Sequence, residues 1–422
     1  MPTSDEPMSH SIAFIGAGVA SISAIESLRE RGHAGPITLF SAEKRLPYDR
    51  PPLSKAVLLG EAPQGVALRP EEFYSRHDVD LRLGVDVTSL EPQRRRISDS
   101  NGDMTRADAI VLATGGTARE LTIPGADLHG VYVLRGLDDA VERESRLQPG
   151  ARLVVVGGGF IGTEVAAAAR SRGLEVTIVE ALPAPLERVL PELARHVVEH
   201  HRSQGVVVRA GVGVEAFTGR ERVDGVRLVG GMVIPADLVV VGVGMRPRDE
   251  LATAAGLVVG DGVHVDALSR SSVHGVYAIG DVANAPDGQG GRRRTEHWQA
   301  AVSGGQRLAA TLLGEDVGPA APAWFWSYQF DLNIQVAGHP RDGDARVVRG
   351  DPEQGKATVL FHRDGVVTAA ATLNNGRDIR PATDLIRAKI AVDLEAVADP
   401  AADLRRLAKS WMANASSARV ES

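Results

Sequence analysis

Gly157-Gly158-Gly159-Phe160-Ile161-Gly162 forms a complete G-x-G-x-x-G run, and Glu180 lies 23 residues beyond its first glycine. Each glycine has a physical task. The first permits a tight turn, the second lets the backbone approach a pyrophosphate, and the third lets a helix press against a strand. An acid at the end of the following strand accepts hydrogen bonds from an adenosine ribose 2′-hydroxyl and repels a 2′-phosphate. Ala181, Leu182, Pro183, Ala184 and Pro185 follow, with no arginine to hold such a phosphate. The pattern therefore predicts a site for NADH rather than NADPH, built from Gly157, Gly159, Phe160, Ile161, Gly162, Glu164 and Glu180, with Gly244 closing a later strand of the same unit. A solvated strand-end charge is the competing reading of Glu180, and the spacing disfavours it.

A second run, Gly16-Ala17-Gly18-Val19-Ala20-Ser21, is a G-x-G-x-x-S variant with a small residue at the third position. Its strand-end counterpart is Ser41, and Glu43 two residues on is the ribose candidate, with a plain surface acid as the alternative. Two such loops in one chain point to two different dinucleotides, a held flavin and a nicotinamide that reduces it. Val276–Ile279 followed by Gly280-Asp281 is an apolar strand ending where a carboxylate could hold a ribityl hydroxyl. Glu296-His297-Trp298 then precedes a helix over Gln299–Leu313, whose positive end suits the flavin pyrimidine, where negative charge develops on reduction.

The elements that must position these loops repeat. Ser11–Ile15, Val19–Arg31 and Ile37–Phe40 read as strand, helix and strand, and so do Arg152–Val156, Ile161–Arg172 and Val176–Val179. Ala109–Thr114 ending in Gly115-Gly116, and Leu238–Val243 ending in Gly244, mark the chain leaving each unit. Past Pro319 the rhythm changes. Trp324, Phe325, Trp326 and Tyr328 cluster, short alternating segments follow at Thr358–His362 and Val366–Ala371, and a charged helix is expected near Pro381–Ala391. From Asn414 the chain reads as a frayed tail.

Composition narrows the chemistry. The 422 residues suggest about three domains. The net charge of −7 disfavours a nucleic-acid binder. There is no cysteine, which excludes a redox disulfide, a thiol nucleophile and an internal cysteine-ligated cluster. His196, His200 and His201 share a helix over Glu192–Gln204 but lack further ligands, so a solvated face is expected and no metal. The polar stretch Met1–Ser11 is not a signal peptide, and no apolar run nears the length of about 18 residues needed to span a membrane, so a soluble cytoplasmic protein is expected.

Leu46-Pro47-Tyr48-Asp49-Arg50-Pro51-Pro52-Leu53-Ser54-Lys55 closely resembles a block of the FAD-dependent, NADH-using ferredoxin reductases of bacterial oxygenase systems, to which apoptosis-inducing factor and the rubredoxin reductases are related. The similarity continues through Ala113-Thr114-Gly115, Gly242–Pro247 with Glu250-Leu251-Ala252, Ala278–Val282, Glu296-His297-Trp298, Phe325-Trp326-Ser327, and Asn374 with Arg377-Asp378. It spans about His10 to Leu407. The implied architecture is α/β, with two Rossmann-like dinucleotide-binding domains of glutathione-reductase type plus a C-terminal α+β domain. An FAD domain would take residues 8–118 and 248–320, an NADH domain 119–247, an interface domain 321–413, and a flexible tail 414–422.

The resemblance implies FAD contacts at Gly16, Gly18, Ser21, Glu43, Arg50, Lys55, Ala113, Thr114, Gly115, Asp281, Glu296, His297, Trp298 and Trp326. It also implies a Lys55–Glu164 pair near flavin N5, with the glutamate holding the lysine, and Trp326 beside the isoalloxazine ring. Two positions depart from the family pattern. Tyr328 stands where an acid is usual, and Phe330 where tyrosine is.

The expected reaction carries a hydride from NADH to FAD and electrons singly to an external 2Fe–2S ferredoxin, which feeds a cytochrome P450 or ring-hydroxylating oxygenase. A diaphorase-oxidase and a redox-sensing binding protein are the alternatives. Arg292-Arg293-Arg294 is the candidate docking patch, against a solvated cluster or pyrophosphate neighbours, while Arg94-Arg95-Arg96 reads as a bland hairpin. A monomer or weak homodimer is expected.

Overall fold

A computed structural model describes residues 10–144, 147–187, 189–288, 290–341 and 343–420. The first nine residues and the last two of the tail lie outside the described residues. The chain forms two compact units. One holds the chain up to Pro52, with Gly65–Thr117 and Met245–Ala320; the other holds Leu53–Gln64, Ala118–Gly244 and the chain from Ala321 onward. The domain bounds expected from the sequence place residues 53–64 in the first domain and keep the NADH and C-terminal domains apart. Here all three segments share the second unit.

In the first unit five parallel strands lie in the order Val276–Ala278, Ala109–Leu112, Ile12–Ile15, Ile37–Ser41, Val79–Leu83. Ile12–Ile15 and Ala109–Leu112 are buried throughout, as a parallel sheet covered on both faces requires. Ile12 and Phe14 pack with the helices Val19–Glu30 and Trp298–Leu312, while Ala13 and Ile15 pack on the opposite face with Leu90, Ile97 and Leu257. The two helices approach closely at Gly305, where a Cβ would lie 2.3 Å from the Ala20 carbonyl oxygen.

The second unit opens with the same design. Its parallel sheet runs Val207–Ala210, Glu175–Glu180, Arg152–Val156, Leu238–Val241, Val131–Val133. A separate antiparallel sheet follows, ordered Trp324–Gln329, Leu332–Gly338, Val366–Leu373, Lys356–Arg363, Ala345–Asp351. Alternation along Lys356–Arg363 is masked because both faces are covered. Val359 and Phe361 pack against Leu186, Leu190, Leu193 and Val197, and Leu360 packs against Ile379, Leu385 and Ala408. Residues expected to form a frayed tail continue the helix Leu404–Val420, consistent with the helix propensity of their alanines.

Arg349 ties the C-terminal segments together. Its guanidinium is buried, lies 2.9 Å from Asp378 and donates to the carbonyls of Val397, Asp399 and Ala402. Asp378 also accepts from Thr358 at 3.0 Å and Asn375 at 2.7 Å. Removing one partner of such a pair strands the other charge. Arg349→Ala is therefore expected to cost about 3–5 kcal/mol of unfolding free energy, read from guanidinium denaturation monitored by circular dichroism.

Candidate functional site

Both fingerprint loops are shaped by contacts that exclude a Cβ. Gly16 has φ of +107° and a Cβ there would lie 2.2 Å from the Ala113 carbonyl oxygen; Gly157 has φ of +104° and the corresponding distance to Gly242 is 2.4 Å. The expected Ala113-Thr114-Gly115 segment thus matches Gly242–Gly244 in position and task. At the third motif position the two loops differ. A Cβ on Gly162 would sit 2.0 Å from the Gly157 carbonyl oxygen, whereas buried Ser21 donates its hydroxyl to the Gly16 carbonyl at 2.6 Å.

The second glycines, Gly18 and Gly159, have open space where a side chain would be. Each is the N-cap of a twelve-residue helix and supplies no side-chain cap. Backbone N–H groups at a helix start beside open space fit a pyrophosphate, so the residues present suit a dinucleotide in each unit.

The strand-end acids lie where the spacing predicted. Glu180 accepts from the Gly158 N–H at 2.6 Å and the Leu182 N–H at 2.8 Å, which sets its carboxylate across the loop. Glu43 accepts from Arg50 at 2.7 Å and from the Tyr48 hydroxyl at 2.7 Å, and the Arg50 guanidinium covers the Tyr48 ring. Ile161 is exposed beside its loop. Phe160 instead packs its ring edge-to-face on Phe325, so what it offers a ligand is the backbone N–H at the helix start.

Other expected FAD residues also gather within the first unit. Trp298 donates its indole N–H to Asp49 at 2.5 Å, which joins the Tyr48–Lys55 block to the Glu296–Trp298 segment. Burial raises the Asp49 carboxyl above its usual range, and the tryptophan bond partly offsets this. Thr114 donates to the Arg248 carbonyl at 2.6 Å, and the Arg248 N–H returns a bond to Gly115 at 2.9 Å. Asp281 lies in the turn Gly280–Val282, and its charge acts on His297, although burial dominates and pushes that imidazole down to about 4. Gly244 has φ of +103° and open space above it. In the second unit, half-buried Trp326 stacks on Trp324 at 5.1 Å.

The Lys55–Glu164 pair forms within the second unit. The Lys55 ammonium is 2.6 Å from Glu164, whose carboxylate is only 6% exposed and also accepts from Ser54 at 2.5 Å and Ser327 at 2.6 Å. Glu164 sits in the second turn of the helix Phe160–Ser171. Arg172, at the other end of that helix, holds the Leu58 carbonyl at 2.7 Å.

One expectation is corrected. His201 is not on a solvated face: it is 1% exposed, because its helix, Pro191–Ser203, is covered by the C-terminal sheet along Leu193 and Val197. Its imidazole meets Gln329 at 2.9 Å. The candidate docking run Arg292–Arg294 forms a short strand, in which exposed Arg292 donates to the carbonyls of Val265 and Asn284 and Arg294 pairs with Asp261 and Glu296. Sequence reasoning also missed the polar roles of Ser54, Ser327 and Gln329; their recurrence as polar residues in otherwise apolar segments was the available signal. His196, Glu199 and Glu353 bring ligand atoms within 4.8 Å of one another, but Arg195 already pairs with both carboxylates. Among the described residues, no helix is long and apolar enough to cross a membrane.

Two fingerprint loops, each at the head of a buried parallel sheet, define a dinucleotide-dependent oxidoreductase with two Rossmann-like domains. Residues 10–305 match the family described as pyridine nucleotide-disulphide oxidoreductase, and residues 324–408 match the reductase C-terminal domain. The chain is 38% identical over 408 residues to the biphenyl dioxygenase system ferredoxin–NAD(+) reductase component of Paraburkholderia xenovorans, covering 96% of this chain and 99% of that one. It is 37% identical over 399 residues to rhodocoxin reductase of Rhodococcus erythropolis, covering 94% and 93%. The crystal structure of the covalent putidaredoxin reductase–putidaredoxin complex contains a chain that superposes with a TM-score of 0.92 at 30% identity, covering 96% of this chain and 99% of that chain. The protein belongs to the pyridine nucleotide-disulphide oxidoreductase family and is an FAD-dependent enzyme that uses NAD(H). The disulfide of the family's description has no counterpart in a chain without cysteine.

Burial also lowers His201 to about 4, against the weaker opposing effect of its Gln329 bond. Like His297, it folds neutral, while the unfolded chain protonates near the ordinary value of about 6.5. Stability is therefore complete above pH 6.5, falls as the pH drops towards 4, and loses on the order of 3 kcal/mol per histidine. Denaturant midpoints between pH 7.5 and 4.5 should show this slope, and His201→Gln should remove about half of it.

Proposed function

We propose that the protein is a cytoplasmic flavoprotein reductase that takes a hydride from NADH onto FAD and delivers electrons singly to a 2Fe–2S ferredoxin serving an oxygenase. The observation that carries this reading is the presence of two well-formed dinucleotide loops in one cysteine-free chain. With no thiol to receive them, the electrons must leave to an external acceptor. The biphenyl dioxygenase relative is by name a ferredoxin–NAD(+) reductase component, and the putidaredoxin reductase chain was captured with its redox partner.

In this proposal the first unit holds FAD. Helix-start N–H groups at Gly18 meet the pyrophosphate, Glu43 in its Arg50–Tyr48 clamp meets the ribose, and Asp281 and the Glu296–Trp298 helix start meet the flavin end. Gly157–Gly162 hold the NADH pyrophosphate, and Glu180 exchanges a backbone partner for the ribose hydroxyls. When bound, FAD accepts two electrons as a hydride and releases them one at a time. The positive charge that a reduced flavin calls for would come from Lys55, aligned by Glu164, and the aromatic partner of its ring from Trp326. Hydride transfer needs no protein acid or base, so positioning supplies most of the rate. The strand Arg292–Arg294 is the candidate docking patch for the carboxylates of an acidic partner, with Arg292 its most exposed member. The enzyme acts as a monomer or weak homodimer.

The decisive assay is NADH-dependent cytochrome c reduction with and without a 2Fe–2S ferredoxin from the same organism. Stimulation of at least about tenfold is expected with NADH, and NADPH should be at least about tenfold poorer. Absence of stimulation by any such ferredoxin would overturn the reading. Glu180→Ala should raise the NADH KM about tenfold or more and narrow the gap to NADPH, with kcat little changed. Lys55→Met should instead slow flavin reduction roughly tenfold at saturating NADH.

A further inference from the structure

Behind Glu164 lies a file of buried polar groups that the reaction as described does not use. Ser327 donates to Glu164 Oε1 at 2.6 Å, Gln329 Nε2 donates to the Ser327 hydroxyl at 3.1 Å, and Gln329 Oε1 lies 2.9 Å from His201 Nε2. Ser327 and Gln329 are completely buried and His201 nearly so. The chemistry of each group fixes the direction of every bond. A carboxylate oxygen in this arrangement accepts, so the serine proton points to Glu164 and its lone pair takes the Gln329 amide N–H. The amide oxygen then accepts, which requires the proton of His201 to be on Nε2. His201 Nδ1 is buried without a hydrogen-bond partner, tolerable for a bare lone pair and costly for an N–H.

Every donor in the file therefore faces Glu164, and the file ends inside the protein rather than in water. That geometry cannot deliver a proton to solvent. It can hold the carboxylate in one place, and Glu164 Oε2 then holds Lys55 at 2.6 Å. We propose that Ser327, Gln329 and His201 are positioning residues that fix Glu164 and, through it, the ammonium of Lys55. The proposal rests on the reading above only in taking the Lys55–Glu164 pair to serve the flavin. The alternation of the edge strand Trp324–Gln329 makes the file possible, since Ser327 and Gln329 point inward while Tyr328 between them is exposed. Phe330, the other departure from the family pattern, packs edge-on against His201 at 5.1 Å and closes its far side.

Two readouts on the FAD-loaded enzyme test this. In stopped-flow reduction by NADH, Ser327→Ala should slow flavin reduction roughly tenfold at saturating NADH while the NADH KM stays within about twofold. On a Glu164→Gln background the same change should alter the rate by less than about twofold, because the group it acts through is gone. Gln329→Leu should behave as a milder version. Separately, the chain has only five lysines, so lysine-selective nitrogen NMR can follow the Lys55 ammonium directly. A sharp, exchange-protected signal is expected in the wild type, broadened or lost in Ser327→Ala and Gln329→Leu. A protected Lys55 signal in both variants, or an equal loss of rate from Ser327→Ala with and without Glu164→Gln, would overturn the proposal. Wild-type flavin reduction in Glu164→Gln would instead overturn the flavin-side role of the pair, and the Lys55 signal would still decide whether the file positions it.

Discussion

A carboxylate buried at Glu164 must be neutralised and fully hydrogen-bonded, and much of the second unit is arranged around that requirement. An unpaired buried charge is among the costliest features a fold can carry. Glu164 receives an ammonium and a hydroxyl from Lys55 and Ser54 and a second hydroxyl from Ser327. Those partners come from sites more than a hundred residues away on either side of it. The need to supply them explains why residues 53–64 group with the second unit, although the residues just before them, Tyr48, Asp49 and Arg50, make their contacts in the first. One short sequence block thus does two structural tasks, divided at Pro52.

The two dinucleotide loops show how far a shared design can vary. Both first glycines press against a carbonyl oxygen of the neighbouring strand's exit, and neither can carry a side chain. At the third position, one loop lets helix and turn touch directly at Gly162, while the other fills the same gap with a serine that bonds to the turn. The strand-end acids diverge in the same way. Glu180 is held by backbone N–H groups of its own loop and strand end. Glu43 is held by an arginine and a tyrosine that clamp it from one side.

The C-terminal sheet owes its burial to partners on both faces. Helix Pro191–Ser203 covers one face and the terminal helices cover the other. Because of this, a helix that carries its own domain's core on one side must be apolar or satisfied on the other. His201 is accommodated there through an amide and a neutral ring. Arg349 serves the same domain differently: it donates to three carbonyls and pairs its charge with that of Asp378.

By itself the sequence determined the two βαβ units, their glycine loops, the acids that follow them and the absence of thiol chemistry. The loops and acids depend on spacing within about 30 residues, where chain geometry alone dictates what is adjacent, and the absence of thiol chemistry follows from the absence of cysteine. The Lys55–Glu164 pair was legible only through family resemblance, since nothing local connects positions 109 residues apart. The tertiary structure alone decided that His201 is buried, that Ser327 and Gln329 face Glu164, and that Arg294 pairs with Asp261 and Glu296. A helix's pattern shows which residues share a face, but not whether a second sheet covers it. A polar residue's type shows what it can bond to, but not which distant partner folding will bring within reach.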